Sequence, residues 1–167
     1  MFVIPLGGSG VRFRENGYVS PKALVPLHGK PMIFYLLESL PRNAEVLIVC
    51  HPDYIHQDIE ELVKSKFTEL TVNVRYLSQP TQGAAETLMM GLSHLTEDTS
   101  VLCLDGDTYY ESDVVRRWNG DNSVFVFHDT GTNPIFSYVD VRDSQIIRIA
   151  EKDRISDTAC VGAYGFR

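Results

Sequence analysis

The segment Gly7-Gly8-Ser9-Gly10-Val11-Arg12-Phe13 directly follows the apolar run Phe2–Leu6. Three glycines within four positions permit positive φ and let a ligand come close to the backbone. Successive N–H groups in such a loop can converge on an anion, and Arg12 adds a forked donor suited to phosphate oxygens. A plain turn would also explain the glycines, so the flanking residues must decide. A Walker loop needs Gly-Lys-Ser/Thr after a four-residue gap, and none follows. A dinucleotide fingerprint needs Gly or Ala where Phe13 stands, and a helix straight after the glycines. The continuation "RENGYVSPKALVPL" does not read as a helix.

Working outward, residues 2–6 read as a short buried strand, and residues 7–31 as a long irregular segment of the kind that usually serves a function. Pro31 opens a helix with Met32, Tyr35, Leu36 and Leu40 on its apolar face, and Pro41 closes it. Residues 45–50 form a second buried strand. A helix is predicted over 53–67, with Ile55, Ile59, Leu62, Val63 and Phe67 at helical spacing. Residues 70–76 alternate as a half-buried strand. A small-residue helix is predicted over 83–94, with Met89 and Met90 filling the core. Residues 101–104 are another buried strand, ending in acids. Ser112 is positioned to cap a short helix over Val114, Val115 and Trp118. After Gly120 strands dominate, at 123–128, 137–141, 146–150 and 159–166. Alternating β and α followed by strands predicts a doubly wound α/β fold with a mixed, mostly parallel sheet. Ligands in such sheets bind outside the carboxyl ends of the strands. The glycine loop and the acids after Leu104 can therefore share one site.

The chain has 167 residues, 44% apolar and 22% charged, which suits a single globular domain. Its net charge of −7 argues against non-specific nucleic-acid binding. The first thirty residues run the other way, with Arg12, Arg14, Lys22 and Lys30 against Glu15 alone, which suggests a localised anion site. Cys50, Cys103 and Cys160 lie in separate apolar runs without metal-ligand spacing, as expected of buried reduced thiols in a cytoplasmic protein. The histidines pair with no acid or cysteine at a useful spacing. No apolar run reaches the ~18 residues of a membrane span, and no signal peptide is evident.

The wider pattern is Gly-x-Gly-x-Arg, a short gap, Ser20-Pro21-Lys22, then Pro26-Leu27-His28-Gly29-Lys30-Pro31-Met32-Ile33. It resembles the signature of nucleotidyltransferases that make nucleotide-sugars, the sugar-1-phosphate pyrophosphorylases. The "RFRENGYVSPK" spacing is similar to a branch tied to surface-polysaccharide synthesis. "TQGAAETLMMGL" resembles the family's base-recognition segment, with Ala84 in place of the usual threonine. "VLCLDGDTYY" resembles the strand whose Gly-Asp carries the metal ligand. "SYVDVRDSQIIRIAEKDRISDTACVGAYGF" resembles the sugar-phosphate segment, with Asp153 where a proline usually follows Glu-Lys.

The resemblance implies a three-layer α/β/α Rossmann-like nucleotidyltransferase fold. It implies transfer of a nucleoside monophosphate from a nucleoside triphosphate to a sugar 1-phosphate, with release of pyrophosphate. The attacking phosphate oxygen is already anionic, so catalysis is mostly positioning and charge neutralisation. By the same resemblance Arg12 and Lys22 are catalytic, on the leaving pyrophosphate and the α-phosphate respectively. Leu6, Gly7, Gly8, Gly10, Gln79, Gln82 and Gly83 would bind the nucleotide, with Gln82 favoured over Gln79 for the base edge. Asp105, Glu151, Lys152 and Gly162 would serve the sugar phosphate. Asp107 would hold Mg²⁺, a hard cation content with few protein ligands. Lys30 is expected to be structural or solvent-facing, and Tyr164 to belong to the core.

Relatives of this kind continue beyond the last strand, so the chain is expected to be a truncated piece or one domain of a longer polypeptide. A homo-oligomer or fusion to further domains is compatible with it. Three alternatives stay open at this point. The first is a nucleotidyltransferase acting on a non-sugar phosphate such as phosphocholine. The second is an inactive nucleotide-binding regulatory domain. The third is a glycosyltransferase using Asp105-Gly106-Asp107.

Overall fold

The computed structural model describes residues 1–93 and 99–167. Along the chain run β1 (Phe2–Leu6), α1 (Val11–Glu15), a 3-10 turn at Lys22–Leu24, β2 (Pro26–Leu27), β3 (Lys30–Pro31), α2 (Met32–Glu38), β4 (Glu45–Cys50) and a second 3-10 turn at Pro52–Gln57. There follow α3 (Ile59–Lys66), β5 (Thr71–Tyr76), α4 (Ala84–Leu92), β6 (Val101–Leu104), α5 (Val114–Arg117), β7 (Ser123–His128), β8 (Ser137–Arg142), β9 (Gln145–Glu151) and β10 (Thr158–Phe166). The main sheet has the order β5-β4-β1-β6-β10-β8-β9, with β7 pairing on β10, while β2 and β3 make a separate small hairpin. From β5 to β6 the pairings are parallel. Everything involving β10, and the β8–β9 pair, is antiparallel. The expected mixed sheet is present.

The three layers follow from the period-two alternation of the central strands. Ile4, Leu6, Val46, Ile48, Leu102 and Leu104 point to one face, where Ile33, Phe34, Leu36 and Leu37 of α2 and Ile59 and Val63 of α3 cover them. Val3, Leu47, Val49 and Val101 point to the other, where Leu88, Met90 and Leu92 of α4 pack. Gly91 brings α4 close to β4, since a Cβ there would stand 2.4 Å from a Val49 methyl. Full burial of each such aliphatic side chain contributes about 1.5–3 kcal/mol.

The β1–β6 pairing, Phe2 opposite Leu102, ends both strands at the same sheet edge. Antiparallel β10 then sets Ala163 opposite Leu104 and Gly162 beside Asp105, whose N–H donates to the Gly162 carbonyl at 2.9 Å. The switch in strand order beside β1 thus lies where three candidate segments meet.

Several local expectations need correction. The helix expected over 53–67 is broken: Asp58 adopts φ 47°, separating a 3-10 turn from α3 and leaving Ile55 and Leu62 exposed. A one-turn helix, α1, does follow the glycines, because Gly10 at φ 63° turns the chain into it. Phe13 is therefore the residue that still excludes the dinucleotide fingerprint. Asp113, not Ser112, caps α5, accepting from the Arg116 N–H. Pro31 sits one position before α2, paired with Pro26. Met89 is 75% exposed, so only Met90 of the pair joins the core. The helix expected to reach His94 ends at Leu92, and His94 lies outside the described residues.

Candidate active site

The glycine loop leaves β1 and folds over a cavity of about 350 Å³. Leu6, Gly8, Gly10, Arg12, Lys22 and Asp107 all line it, so six of the residues singled out above come together. Gly7 is buried rather than lining. A Cβ on it would meet Thr87 Oγ1 at 2.1 Å and Thr81 Oγ1 at 2.7 Å, so this glycine is required by close approach. Those two hydroxyls hydrogen-bond each other at 2.7 Å within the segment that carries Gln82 and Gly83, and both lie against Gly7 at the base of the loop. Gln79, Gln82 and Gly83 themselves are exposed and do not line this cavity. The Glu86 carboxylate accepts from the Gln82 N–H at 2.6 Å and fixes the start of α4.

Lys22 reaches across the cavity into an ion pair with Asp107. Partial burial pushes the Lys22 ammonium below its ordinary pKa, the Arg12 guanidinium lowers it further, and Asp105 partly restores it. The ammonium also lies 5.5 Å from the Phe13 ring centroid. Tyr54 supports the turn carrying Lys22, its hydroxyl accepting from the Ala23 N–H at 3.4 Å. Neither Phe13 nor Tyr54 was singled out from the sequence. An aromatic residue inside a glycine-rich loop was the available signal for Phe13, but Tyr54 becomes relevant only through the fold.

Asp105 is half-buried two residues before Asp107, and desolvation pushes its carboxyl up to about 6 against the opposing pull of Lys22. Its N–H also donates to the Tyr110 hydroxyl at 2.9 Å, which in turn donates to the Gly162 carbonyl at 2.6 Å. Gly162 has φ 80°, and a Cβ there would come within 2.2 Å of Asp105 Oδ2. Asp105, Glu151 and Gly162 line a second cavity of about 400 Å³ on the β10 side. Tyr109, Phe127, Phe136, Ser137 and Tyr164 line it too. Tyr164 is thus half-buried at a cavity wall, whereas the sequence assigned it to the core. Lys152, at φ 53°, stands outside this lining and pairs loosely with Glu151 at 3.6 Å. Lys30 is structural as expected: its ammonium lies 3.6 Å from the Tyr35 ring centroid and pairs with Glu38. His51 is buried and caps the turn after β4, its Nδ1 accepting from the Asp53 N–H at 3.1 Å.

Among the described residues no group of three or more His, Cys, Asp or Glu side chains is placed to hold a metal by itself. The single carboxylate lining this cavity, Asp107, suits an ion bound largely by phosphate oxygens and water.

Residues 2–144 match the family described as the MobA-like NTP transferase domain. The chain belongs to this family. It is 23% identical over 155 residues to a D-glycero-alpha-D-manno-heptose 1-phosphate guanylyltransferase of Aneurinibacillus thermoaerophilus, covering 90% of this chain and 66% of that protein. It is 25% identical over 152 residues to a bifunctional protein GlmU of Methanococcus vannielii, covering 90% of this chain and 34% of that protein. The chain therefore spans less than two thirds of each of these relatives. Among solved structures, a nucleoside-diphosphate-sugar pyrophosphorylase from Vibrio cholerae superposes with a TM-score of 0.78 at 23% identity, over 100% of this chain and 73% of that one. An inositol-1-phosphate CTP transferase from T. maritima gives 0.81 at 18% identity, over 99% and 69%. These likenesses establish the three-layer nucleotidyltransferase fold.

Proposed function

We propose that this domain transfers a nucleoside monophosphate from a nucleoside triphosphate to a phosphorylated sugar, releasing pyrophosphate. The observation that carries this is the convergence of Arg12, Lys22 and Asp107 on one cavity under the glycine loop, at the carboxyl ends of β1 and β6. Relatives named for heptose 1-phosphate and glucose 1-phosphate support the same reading.

In this scheme an acceptor phosphate oxygen bonds to the α-phosphorus as the bond to the β-phosphate oxygen breaks, and pyrophosphate leaves with that electron pair. No proton has to move. The obstacle is repulsion between polyanions, about 4 kcal/mol for each pair of unit charges ~4 Å apart at an effective dielectric of ~20. Lys22 offsets charge growing at the α-phosphate, and Arg12 holds the departing pyrophosphate. Lys152 receives the acceptor phosphate, and Glu151 accepts from acceptor hydroxyls. Gln82, with Gln79 and Gly83, meets the base edge. Asp107 would hold Mg²⁺, which supplies further neutralisation of the triphosphate when bound. Loading would exchange the Lys22–Asp107 pair for contacts of each residue with the nucleotide. The three buried, unpaired thiols support a reducing compartment such as the cytoplasm. The likeness in "RFRENGYVSPK" supports a place in surface-polysaccharide synthesis.

The test is pyrophosphate release with each triphosphate, Mg²⁺ and a panel of sugar phosphates. Release that requires both substrates is expected. Nucleotide binding without release for any acceptor would overturn the reading in favour of a sensor.

A further inference from the structure

A further cavity, of about 230 Å³, shares Gly8, Gly10, Lys22 and Tyr54 with the one lined by Arg12 and Asp107. The glycine loop is thus a wall common to both. Ser9, Arg14, His51 and Asp53 line the further cavity and not the first. The Arg14 guanidinium donates to the Ser9 carbonyl and, at 3.0 Å, to the Asp53 carboxylate. Asp53 is anchored in turn. Its N–H donates to Nδ1 of the buried His51 at 3.1 Å, and the His51 N–H donates to the Leu6 carbonyl at 2.8 Å. A continuous strap of contacts therefore leaves the end of β1 at Leu6, passes through His51, Asp53 and Arg14, and returns to the loop at Ser9.

The strap sets which way the peptide groups of the loop face. The Ser9 carbonyl and the Gly10 N–H belong to one trans peptide and point in opposite directions. With the carbonyl held on the Arg14 side, the Gly10 N–H is directed away from Arg14, towards the cavity of Arg12 and Asp107. The Gly10 carbonyl is occupied as well, accepting from the Phe13 and Arg14 N–H groups at 3.0 and 3.2 Å. Among the described residues, the N–H groups of Gly8, Ser9 and Gly10 donate to no backbone carbonyl. Free N–H groups hold a polyanion, and free carbonyl oxygens repel one. The charge of Arg14 is already matched by Asp53. What this pair can supply is orientation of the loop, not attraction.

Resting on the transferase reading above, we propose that Arg14 and Asp53 are positioning residues for the triphosphate. Their ion pair turns the Ser9 carbonyl out of the phosphate cavity and keeps the N–H groups of the loop presented to the nucleotide. Neither side chain touches the phosphates. Both are about half exposed, so the pair adds little to overall stability and its loss leaves the fold intact.

The sign of one substitution separates positioning from direct contact. Asp53→Ala removes a negative charge beside a polyanion site and frees Arg14. Were Arg14 to grasp a phosphate itself, this variant would bind triphosphate more tightly. Positioning requires the opposite, since the strap is cut at its middle.

Isothermal titration calorimetry of the chain with Mg²⁺ and each of ATP, GTP, CTP, UTP and dTTP first identifies the nucleotide bound. Arg14→Ala and Asp53→Ala are then each expected to weaken that triphosphate by about 5–10-fold, and the matching monophosphate by less than about twofold. The double variant is expected to lie within about twofold of the weaker single one, because both cut the same strap. Tighter triphosphate binding by Asp53→Ala overturns the proposal in favour of a direct Arg14 contact, and leaves the transferase reading standing. Unchanged affinity in both variants overturns it too. Equal losses for triphosphate and monophosphate also overturn it, because they mark a general loosening of the fold. A parent protein that binds none of the triphosphates overturns both readings.

Discussion

The two halves of the sheet are ordered by different forces. In β1, β4 and β6 nearly every side chain is buried, on one face or the other, between packed helices. In β9 almost none is, and Ile146, Ile147 and Ile149 face outward. Polar contacts order the antiparallel half. The Tyr138 hydroxyl and the Gly131 N–H donate to the buried Asp129 carboxylate at 2.6 and 2.9 Å, holding it below the usual carboxylate range. Arg154 donates to the Asp129 carbonyl and to the Asp157 carboxylate, clamping the turn that carries Lys152 to the strand ends. The parallel half is thus an apolar scaffold bearing the glycine loop. The antiparallel half is a polar-laced, more open sheet, where substitutions on β9 cost the core little.

The largest effect expected from this contrast is catalytic. Lys22→Ala should lower pyrophosphate release by about 10²–10³-fold, the size of losing one preorganised charge donor, while far-UV circular dichroism stays unchanged. A wild-type rate would show that the loop is not the reacting centre. Next, urea unfolding should separate the halves. Ile48→Ala should cost about 2–5 kcal/mol through the cavity it leaves, and Ile149→Ala less than about 0.5 kcal/mol. Equal losses would erase the distinction between the halves.

Gly162→Ala, where the halves meet, combines φ 80° with a Cβ pressed on Asp105. It should cost about 1–3 kcal/mol and raise the acceptor KM more than the nucleotide KM. An unchanged acceptor KM would detach β10 from the site. The smallest effect concerns Asp105 in metal-free protein. Its raised pKa means that the folded state holds the proton more tightly than the unfolded chain. Stability should therefore fall as pH rises from about 4 to about 6, by roughly 3 kcal/mol at most. Asp105→Asn should remove that slope, and a slope persisting in the variant would assign it to another group.

The apolar half was readable because its information is local. The runs at Phe2–Leu6, Glu45–Cys50 and Val101–Leu104 carry their own burial pattern, and the structure reproduces those bounds. The break at Asp58 was not readable, because the apolar spacing from Ile55 to Leu62 continues through a residue whose backbone turns left-handed. Among the site residues, the glycines, Arg12, Lys22 and Asp107 were visible as a spaced motif. Tyr54, Thr81, Thr87 and Phe127 were not, since each is an ordinary residue type that acquires a role from a distant partner. Tyr54 meets Ala23, and Thr87 meets Gly7, across many positions of chain.

By itself the sequence determined the alternating scaffold, the family and the glycine loop, because apolar periodicity and glycine spacing act over a few neighbouring residues. The tertiary structure alone decided that Gly162 of β10 would lie against Asp105, and that Glu151 would join four aromatic rings around one pocket. Those contacts depend on antiparallel register between segments far apart in the chain. The apolar alternation of each strand restricts its register, and only the assembled sheet decides which distant strand it pairs with.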